Sequence, residues 1–368
     1  MSRSGPAETE GMPLAFAVPG RLGTLTGGFL YDRWIVEGLR RRGRAVELVE
    51  LPDGFPFPSE PRRAEAEARL ATLPDGRPLV VDGLAAGVLP EAMAALGGRL
   101  PLTLLVHHPL AAESGLAPEQ VRALRDSERS ALTAAQRVVT TSGATAETLG
   151  RDYAVPAERL RVVPPGTTPA PLALGGDGRC PHLLCVGSLI PRKGQDLLIE
   201  ALAPLAGLPW RLTLAGAARD PGFAAGVEAR ATALGLAGRV AFPGELEPGA
   251  LAGLYASADL YLQPSRLEGY GMAIAEALAR GLPVLCSARA AIVGELPPDS
   301  VATVPAGERE PLTARLADLL ESRSQRRSLA AAARRARDLL PDWPAAAERF
   351  ESALAAPPEV AARLLRHG

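Results

Sequence analysis

Twice along this chain, short apolar runs of strand length alternate with stretches of helical periodicity, and this alternation restricts the fold more than any other feature. In the first half the runs are LAFAV (14–18), AVELVEL (45–51), LVVDGL (79–84), LTLLVH (102–107), RVVTTS (137–142) and LRVVP (160–164), with a helix expected from about Gly28 to Arg42. The second half repeats the pattern with HLLCVG (182–187), WRLTLAG (210–216), RVAFPG (239–244), ADLYLQP (258–264) and LPVLCS (282–287), and an amphipathic helix over KGQDLLIEALAPL (193–205). Short strands this apolar need cover on both faces, and helices between them supply it as βαβ units with parallel sheets. The expected class is α/β, with two doubly wound parallel-sheet (Rossmann-like) domains in tandem. Open parallel sheets bind ligands beyond the carboxyl ends of their strands. Two such domains facing each other would line a central cleft with those ends.

The 368 residues exceed a comfortable single domain. Residues 1–12 are expected as a disordered N-terminal tail and 13–168 as the first Rossmann-like domain. Residues 169–180 read as a linker, because Gly175, Gly176 and Gly178 follow Pro164-Pro165-Gly166. The second domain is expected over 181–340. Residues 341–368 would form a C-terminal helix packing back on the N-terminal domain, with Pro341 and Pro344 breaking the tail around Trp343 and the last helix ending near Ala355.

A formal charge of −1 argues against bulk nucleic-acid binding, which needs a basic excess. Three cysteines without a Cys-x-x-Cys pair make a disulfide framework or a zinc site an unfavourable reading and point to the cytoplasm. The N-terminus shows no apolar core of signal-peptide length, and no stretch reaches the roughly 18 apolar residues of a membrane helix. The run Arg40, Arg41, Arg42 and Arg44 closes the first long helix. Such runs serve peripheral contact with anionic membranes, but favourable charge at a helix C-terminus is the preferred account, since no large apolar face accompanies the run.

Lys193 is the single lysine among 40 basic residues, in a chain that has no asparagine. Codon bias that replaces lysine by arginine has spared this one. An ammonium and a guanidinium are not interchangeable at a tight phosphate site. Lys193 lies in Pro191-Arg192-Lys193-Gly194, where a strand has ended and a helix begins. Open N–H groups of a helix start, with Arg192 and Lys193 beside them, would suit a diphosphate. The spacing is not that of a Walker loop. A second motif, PSRLEGYGMAIAEALARGLPVLCS (264–287), holds Glu268 and Glu276 eight positions apart around Gly269 and Gly271. Glycine permits close backbone approach to a ligand, and a carboxylate on the following helix can accept two hydrogen bonds from a ribose diol. Two glutamates near a helix start also simply favour its dipole. His107 and His108 are adjacent at a predicted strand end, which favours function over a core role.

From Cys185 to Ser287 the chain resembles the donor domain of family 4 retaining glycosyltransferases, which have the GT-B fold. The likeness rests on the turn G-x-x-x-P-R-K-G ending at Gly194, on V-x-F-x-G at Val240 to Gly244, and on ADLYLQPSRLEGYGMAIAEALARGLPVL, in matching order and spacing. The resemblance implies that Lys193 and Arg192 bind the donor phosphates and that Glu276 holds the ribose. It implies that Glu268 and the backbone of Gly269, Tyr270, Gly271 and Met272 contact the diphosphate and transferred sugar, and that Gly244 and Glu245 lie near the base. Ser188 stands at a phosphate-binding position where the family often has arginine. More weakly, Gly27 and Gly28 resemble the family's Gly-rich acceptor-domain loop, and His107 matches its active-site histidine, with His108 as fallback.

The implied activity is retaining transfer of a hexose-type sugar from a UDP- or GDP-sugar to an unidentified small-molecule, glycan or lipid acceptor. His107, Glu268, Lys193 and Arg192 would be the catalytic group. No cofactor is expected and, with no Asp-x-Asp motif, no metal. A non-catalytic or epimerase-type sugar-nucleotide-binding protein of the same fold is the alternative. A dinucleotide oxidoreductase is disfavoured, because no G-x-G-x-x-G follows the first strand.

Overall fold

The structure is a computed structural model and describes residues 12–24, 26–176 and 179–355. The tail expected at 1–12 and the end of the segment expected at 341–368 lie almost wholly or partly outside these residues. The chain divides into two compact units, one within Met1–Pro165 and Trp343–Gly368, the other formed by Gly166–Asp342.

The first unit carries strands β1 (Leu14–Pro19), β2 (Val46–Leu51), β3 (Leu79–Asp82), β4 (Leu102–Val106), β5 (Arg137–Thr140) and β6 (Leu160–Val162). They form one sheet in the order β2-β1-β3-β4-β5-β6, and every pair is parallel. Inner strands β1, β3 and β4 are buried at every residue, which is why they read as unbroken apolar runs. Its helices are α1 (Gly27–Arg41), α2 (Glu60–Ala71), α3 (Gly83–Ala86), α4 (Pro90–Gly97), α5 (Pro118–Ala134) and α6 (Gly143–Tyr153). Thr26 begins α1 by accepting the Phe29 N–H on its hydroxyl, and the helix buries Tyr31, Asp32, Ile35, Val36 and Leu39.

The basic end of α1 is engaged within its own unit. Arg40 donates to Val46 O, Arg41 lies over Trp34 and beside Glu37, and Arg42 pairs with Glu351 at 2.7 Å. Glu351 belongs to the terminal helix Trp343–Ala355, which lies along α1. Trp343 stacks on Trp34 with centroids 5.5 Å apart, and Phe350 meets Phe16 at 6.2 Å. Gly38 lets the two helices approach, since a Cβ there would fall 2.5 Å from that of Ala347.

The second unit carries β7 (His182–Val186), β8 (Arg211–Ala215), β9 (Val240–Gly244), β10 (Leu260–Gln263), β11 (Val284–Ser287) and β12 (Ala302–Val304). Their order is β12-β11-β10-β7-β8-β9, again parallel throughout. The helices are α7 (Gln195–Leu202), α8 (Pro221–Ala233), α9 (Pro248–Ser257), α10 (Met272–Ala279), α11 (Arg309–Glu321) and α12 (Arg323–Ala336); the terminal helix Trp343–Ala355 of the first unit is then α13. The sequence pattern does not reveal β12, whose three residues are too few to show a period. The glycine-containing stretch read as a linker is tied to this unit up to Gly176. Ala173 N–H bonds Arg280 O, Leu174 and Gly175 N–H bond Ala256 O, and Gly176 N–H bonds Asp259. Backbone groups that find such partners hold even a glycine-rich stretch in place. Asp177 and Gly178 lie outside the described residues.

Candidate functional site

In the second unit the chain fills the sheet outward from β7 through β8 to β9, then returns to β10 on the other side of β7. Ligand sites of doubly wound sheets form where the strand order reverses in this way. Both motifs leave the sheet here. After β7, a single 3-10 turn (Pro191–Lys193) leads to Gly194, which caps α7 at φ 72°. After β10, the loop 264–270 leads to Gly271, at φ 114°, and then to α10.

The two loops meet through charge. Lys193 Nζ lies 2.8 Å from each carboxylate oxygen of Glu268. Arg192 Nη1 is 4.0 Å from Glu268 and donates to Leu267 O at 3.0 Å. Ser265 donates to Glu268 at 2.9 Å and receives a bond from Gln263, whose side chain accepts from Tyr261. The three charged side chains are only 11–15% exposed. Burial alone would raise the Glu268 carboxyl, but Lys193 and Arg192 outweigh it and hold that carboxyl below its ordinary value. Two cations and one anion leave an excess positive charge at the mouth of α10, which has no side-chain cap for its first N–H groups. The loop is fixed from the far side, where Ala291 and Ile292 N–H bond Glu268 O and Tyr270 O.

Glu276 does not join this cluster. Tyr255, fully buried on α9, donates to its Oε2 at 3.0 Å, and Arg280 lies over the Tyr255 ring at 4.4 Å. Burial raises the Glu276 carboxyl above its ordinary value, against the lowering effects of Tyr255 and Arg280. Sequence reasoning missed Tyr255, which shows only as one apolar position of a helix. Among the other expected residues, Ser188 accepts from Gln195 on its backbone oxygen, Gly244 sits at φ 75° in open space, and Glu245 pairs with Arg219 at 3.2 Å in an exposed position. Tyr270 is buried, while Gly269 and Met272 are partly so.

In the first unit the strand order reverses at β1, between β2 and β3. Gly27 opens α1 with nothing near its Cβ position, and a Cβ on Gly28 would sit 3.2 Å from the His107 ring. His107 follows β4. Its Nε2 lies 3.2 Å from Asp32 Oδ1 and 3.2 Å from Asp82 Oδ2. Tyr31 meets the imidazole edge-on, with centroids 5.4 Å apart. His108 instead turns to Glu113, 3.4 Å away. Asp32 and Asp82 were not foreseen. A signal for Asp32 existed: it shares the apolar face of α1 with Ile35, Val36 and Leu39. Asp82 ends a buried strand and caps α3 by accepting Leu84 N–H.

Burial opposes charge on His107, yet Asp32 and Asp82 push its pKa up to about 10. Asp32 rises to about 8 through burial and the neighbouring Asp82. For Asp82, burial is outweighed by hydrogen bonding to His107, and its carboxyl lies below the ordinary value. The three residues also offer one ligand atom each within 4.8 Å of one another, a set able to hold a metal ion.

Glu128 on α5 fixes the loop after His107, accepting Leu110 N–H on both oxygens at 3.1 and 3.3 Å. Burial pushes its carboxyl from 4.5 to about 7. A carboxyl raised on folding stabilises the protein below its unfolded value, and that contribution disappears as the pH rises through about 7. Glu128→Gln should therefore match the parent in thermal midpoint near about pH 4 and exceed it above about pH 7. A constant offset across the pH range would refute this account.

Residues 175–336 match the family described as Glycosyl transferases group 1, and residues 33–170 the one described as Glycosyltransferase Family 4. The D-inositol 3-phosphate glycosyltransferase of Xylanimonas cellulosilytica is 33% identical over 177 residues, which is 44% of this chain and 42% of that protein. The match thus spans less than half of the relative's length. Sucrose-phosphate synthase from Thermosynechococcus elongatus has a TM-score of 0.77 at 22% identity, with 93% of this chain and 98% of that chain covered. Anabaena HepE in complex with UDP and glucose has a TM-score of 0.72 at 20% identity, with 92% and 99% covered. At such identities the structures speak for the fold alone. With one glycosyltransferase family matched in each unit and the likeness in fold extending over nearly the whole chain, this protein has the GT-B fold and is related to the group 1 and family 4 glycosyltransferases.

Proposed function

We propose that this chain is a retaining glycosyltransferase that takes a hexose-type sugar from a UDP- or GDP-sugar and passes it to a small-molecule, glycan or lipid acceptor. The observation that carries the reading is the buried Lys193–Glu268 pair with Arg192 beside it, at the reversal of strand order and at the open start of α10. Sugar transfer requires a nucleoside diphosphate to depart. Preorganised cations and N–H dipoles that meet its growing charge supply much of the catalysis. Lys193, Arg192 and the first N–H groups of α10 take that role. Glu268, oriented by Lys193 and Ser265, contacts the transferred sugar, and His107 is assigned a sugar contact on the family resemblance. Gly27, Gly28 and Ser188 are assigned to the phosphates, and Gly244 and Glu245 to the base. Uridine is favoured as the base, in line with the UDP of the HepE complex.

Thermal shift across a panel of nucleotides and nucleotide sugars tests the donor class, since a ligand that binds the native state raises the midpoint. Acceptor-dependent release of free nucleotide then separates transfer from simple binding or epimerisation. If no nucleotide diphosphate shifts the midpoint, the proposal is wrong.

Glu276 is assigned the ribose diol, with Tyr255 occupying one carboxylate oxygen. Hydrogen bonds to a charged group contribute about 1.5–3 kcal/mol, so Glu276→Ala should weaken UDP binding by about 10- to 100-fold. Tyr255→Phe should weaken it less. Unchanged UDP affinity in the alanine variant, by calorimetry, removes the ribose role.

A further inference from the structure

We infer that Asp32 and Asp82 are positioning residues that keep His107 as a fixed imidazolium, so that its Nδ1–H is a permanent donor to a ligand oxygen and never a base. This deepens the role given to His107 above and rests on it for the identity of the ligand.

Both carboxylates approach the same ring nitrogen. Asp32 Oδ1 and Asp82 Oδ2 are each 3.2 Å from Nε2, and both side chains are nearly or fully enclosed. Gly28 and Tyr31 on α1 press on the ring, and Thr141 donates to the His107 backbone oxygen. Nε2 is therefore committed. Among the described residues Nδ1 has no hydrogen-bond partner, and it is not among the sealed-off polar atoms; the side chain is 19% exposed. An imidazolium is donor-only at both nitrogens. The open end of this ring can then only give a hydrogen bond, to a phosphate or a sugar oxygen. Taking its proton away would leave a carboxylate charge buried without a counter-ion, which is strongly unfavourable. A histidine so held is a poor base for the acceptor hydroxyl.

The two carboxylates are not equivalent. Asp82 also accepts the Leu84 N–H at 2.6 Å, so both its oxygens have donors. Asp32 Oδ2 is buried with no partner. A negative charge is better tolerated on the carboxylate with more donors. Asp82 thus carries the charge opposite His107, and Asp32 takes up a proton first. Beside these two carboxylates, the titratable group packed on the ring is Tyr31 of α1, which burial keeps as a neutral phenol. The asymmetry makes a prediction that a merely structural role does not share.

The test is ¹⁵N NMR of the histidine rings in the full chain, in EDTA, with the His107 signals assigned by His107→Gln. In the parent, both ring nitrogens of His107 stay protonated until the pH approaches about 10. Asp82→Asn, which keeps an oxygen for Leu84 N–H, lowers the midpoint by about 1–3 pH units. Asp32→Asn lowers it much less below pH 8, and Asp82→Glu restores the parent behaviour. A neutral His107 at pH 8 in the parent, equal effects of the two asparagine variants, or a divalent ion that binds at Nε2 in titrations with Zn²⁺ would each overturn the inference. UDP and UDP-glucose, titrated in parallel, identify the oxygen. A response of the Nδ1 signal to UDP places it on phosphate, and a response to UDP-glucose alone places it on the sugar. If neither ligand perturbs Nδ1 while both bind, the donor half of the inference is wrong. If neither binds at all, the donor class proposed above fails, and the ring titration still decides the charge on His107.

Discussion

Lys193→Ala lowers donor turnover, read as nucleotide release from the sugar nucleotide selected by the thermal-shift panel, by about 10²–10³-fold. This is about 2.7–4 kcal/mol, the cost of removing one preorganised donor from a developing oxyanion. Two effects are folded into that loss. The ammonium is withdrawn from the departing diphosphate, and Glu268 loses the partner that sits 2.8 Å from both its oxygens. Arg192, at 4.0 Å, is then its remaining cation in the cluster. A buried carboxylate deprived of its partner tends to take up a proton. The double variant Lys193→Ala/Glu268→Gln separates the two effects. If Lys193 merely neutralises Glu268, adding Lys193→Ala to Glu268→Gln costs nothing further. If Lys193 acts on the phosphates, the double variant is slower than Glu268→Gln alone by nearly the full loss seen for Lys193→Ala, which is the expected result. A double-mutant cycle suits residues in direct contact, where additivity fails. Lys193→Arg should not rescue fully, because a planar guanidinium cannot replace a compact ammonium that faces two oxygens of one carboxylate.

Gly194→Ala destabilises the second unit by about 2–5 kcal/mol, the sum of a left-handed backbone penalty and overpacking. Gly194 sits at φ 72°, and a Cβ there would lie 2.5 Å from Pro264 O and 3.2 Å from Pro264 C. Those are backbone atoms, so no flexible side chain can move aside. One of the two loops must shift, and both carry the site: Lys193 precedes Gly194, and Pro264 begins the loop to Glu268. The variant should lose turnover in addition to stability, even at a temperature where it remains folded. Chemical denaturation followed by fluorescence and circular dichroism measures the first effect, and nucleotide release measures the second. Gly207→Ala is the control, since its Cβ position is open and its φ is not positive; it should change little. Equal stability of the two variants would show that the approach of Gly194 to Pro264 is not tight.

Lys193 stood out in the sequence because substitution bias had replaced every other lysine, and Glu268 and Glu276 because their spacing spans a glycine turn and a helix start. Their partners were less visible. Tyr255, which holds Glu276, is 21 positions upstream on another helix. The basic run at 40–44 reads in the sequence as favourable charge at a helix end rather than a membrane contact, but the sequence does not say which groups it meets: Glu351 and the Val46 carbonyl take up two of its guanidinium groups.

Period and punctuation along the chain were enough to give two parallel α/β sheets, because strand burial and helix amphipathicity are written residue by residue. The pairings that give the site its charge were not written there. Lys193 meets Glu268, and His107 meets Asp32, each across 75 positions. Such contacts exist only once parallel strands lie side by side and carry their loops to the same edge. Burial then makes the encounter matter, since away from water a carboxylate 3 Å from a cation fixes which group keeps its proton.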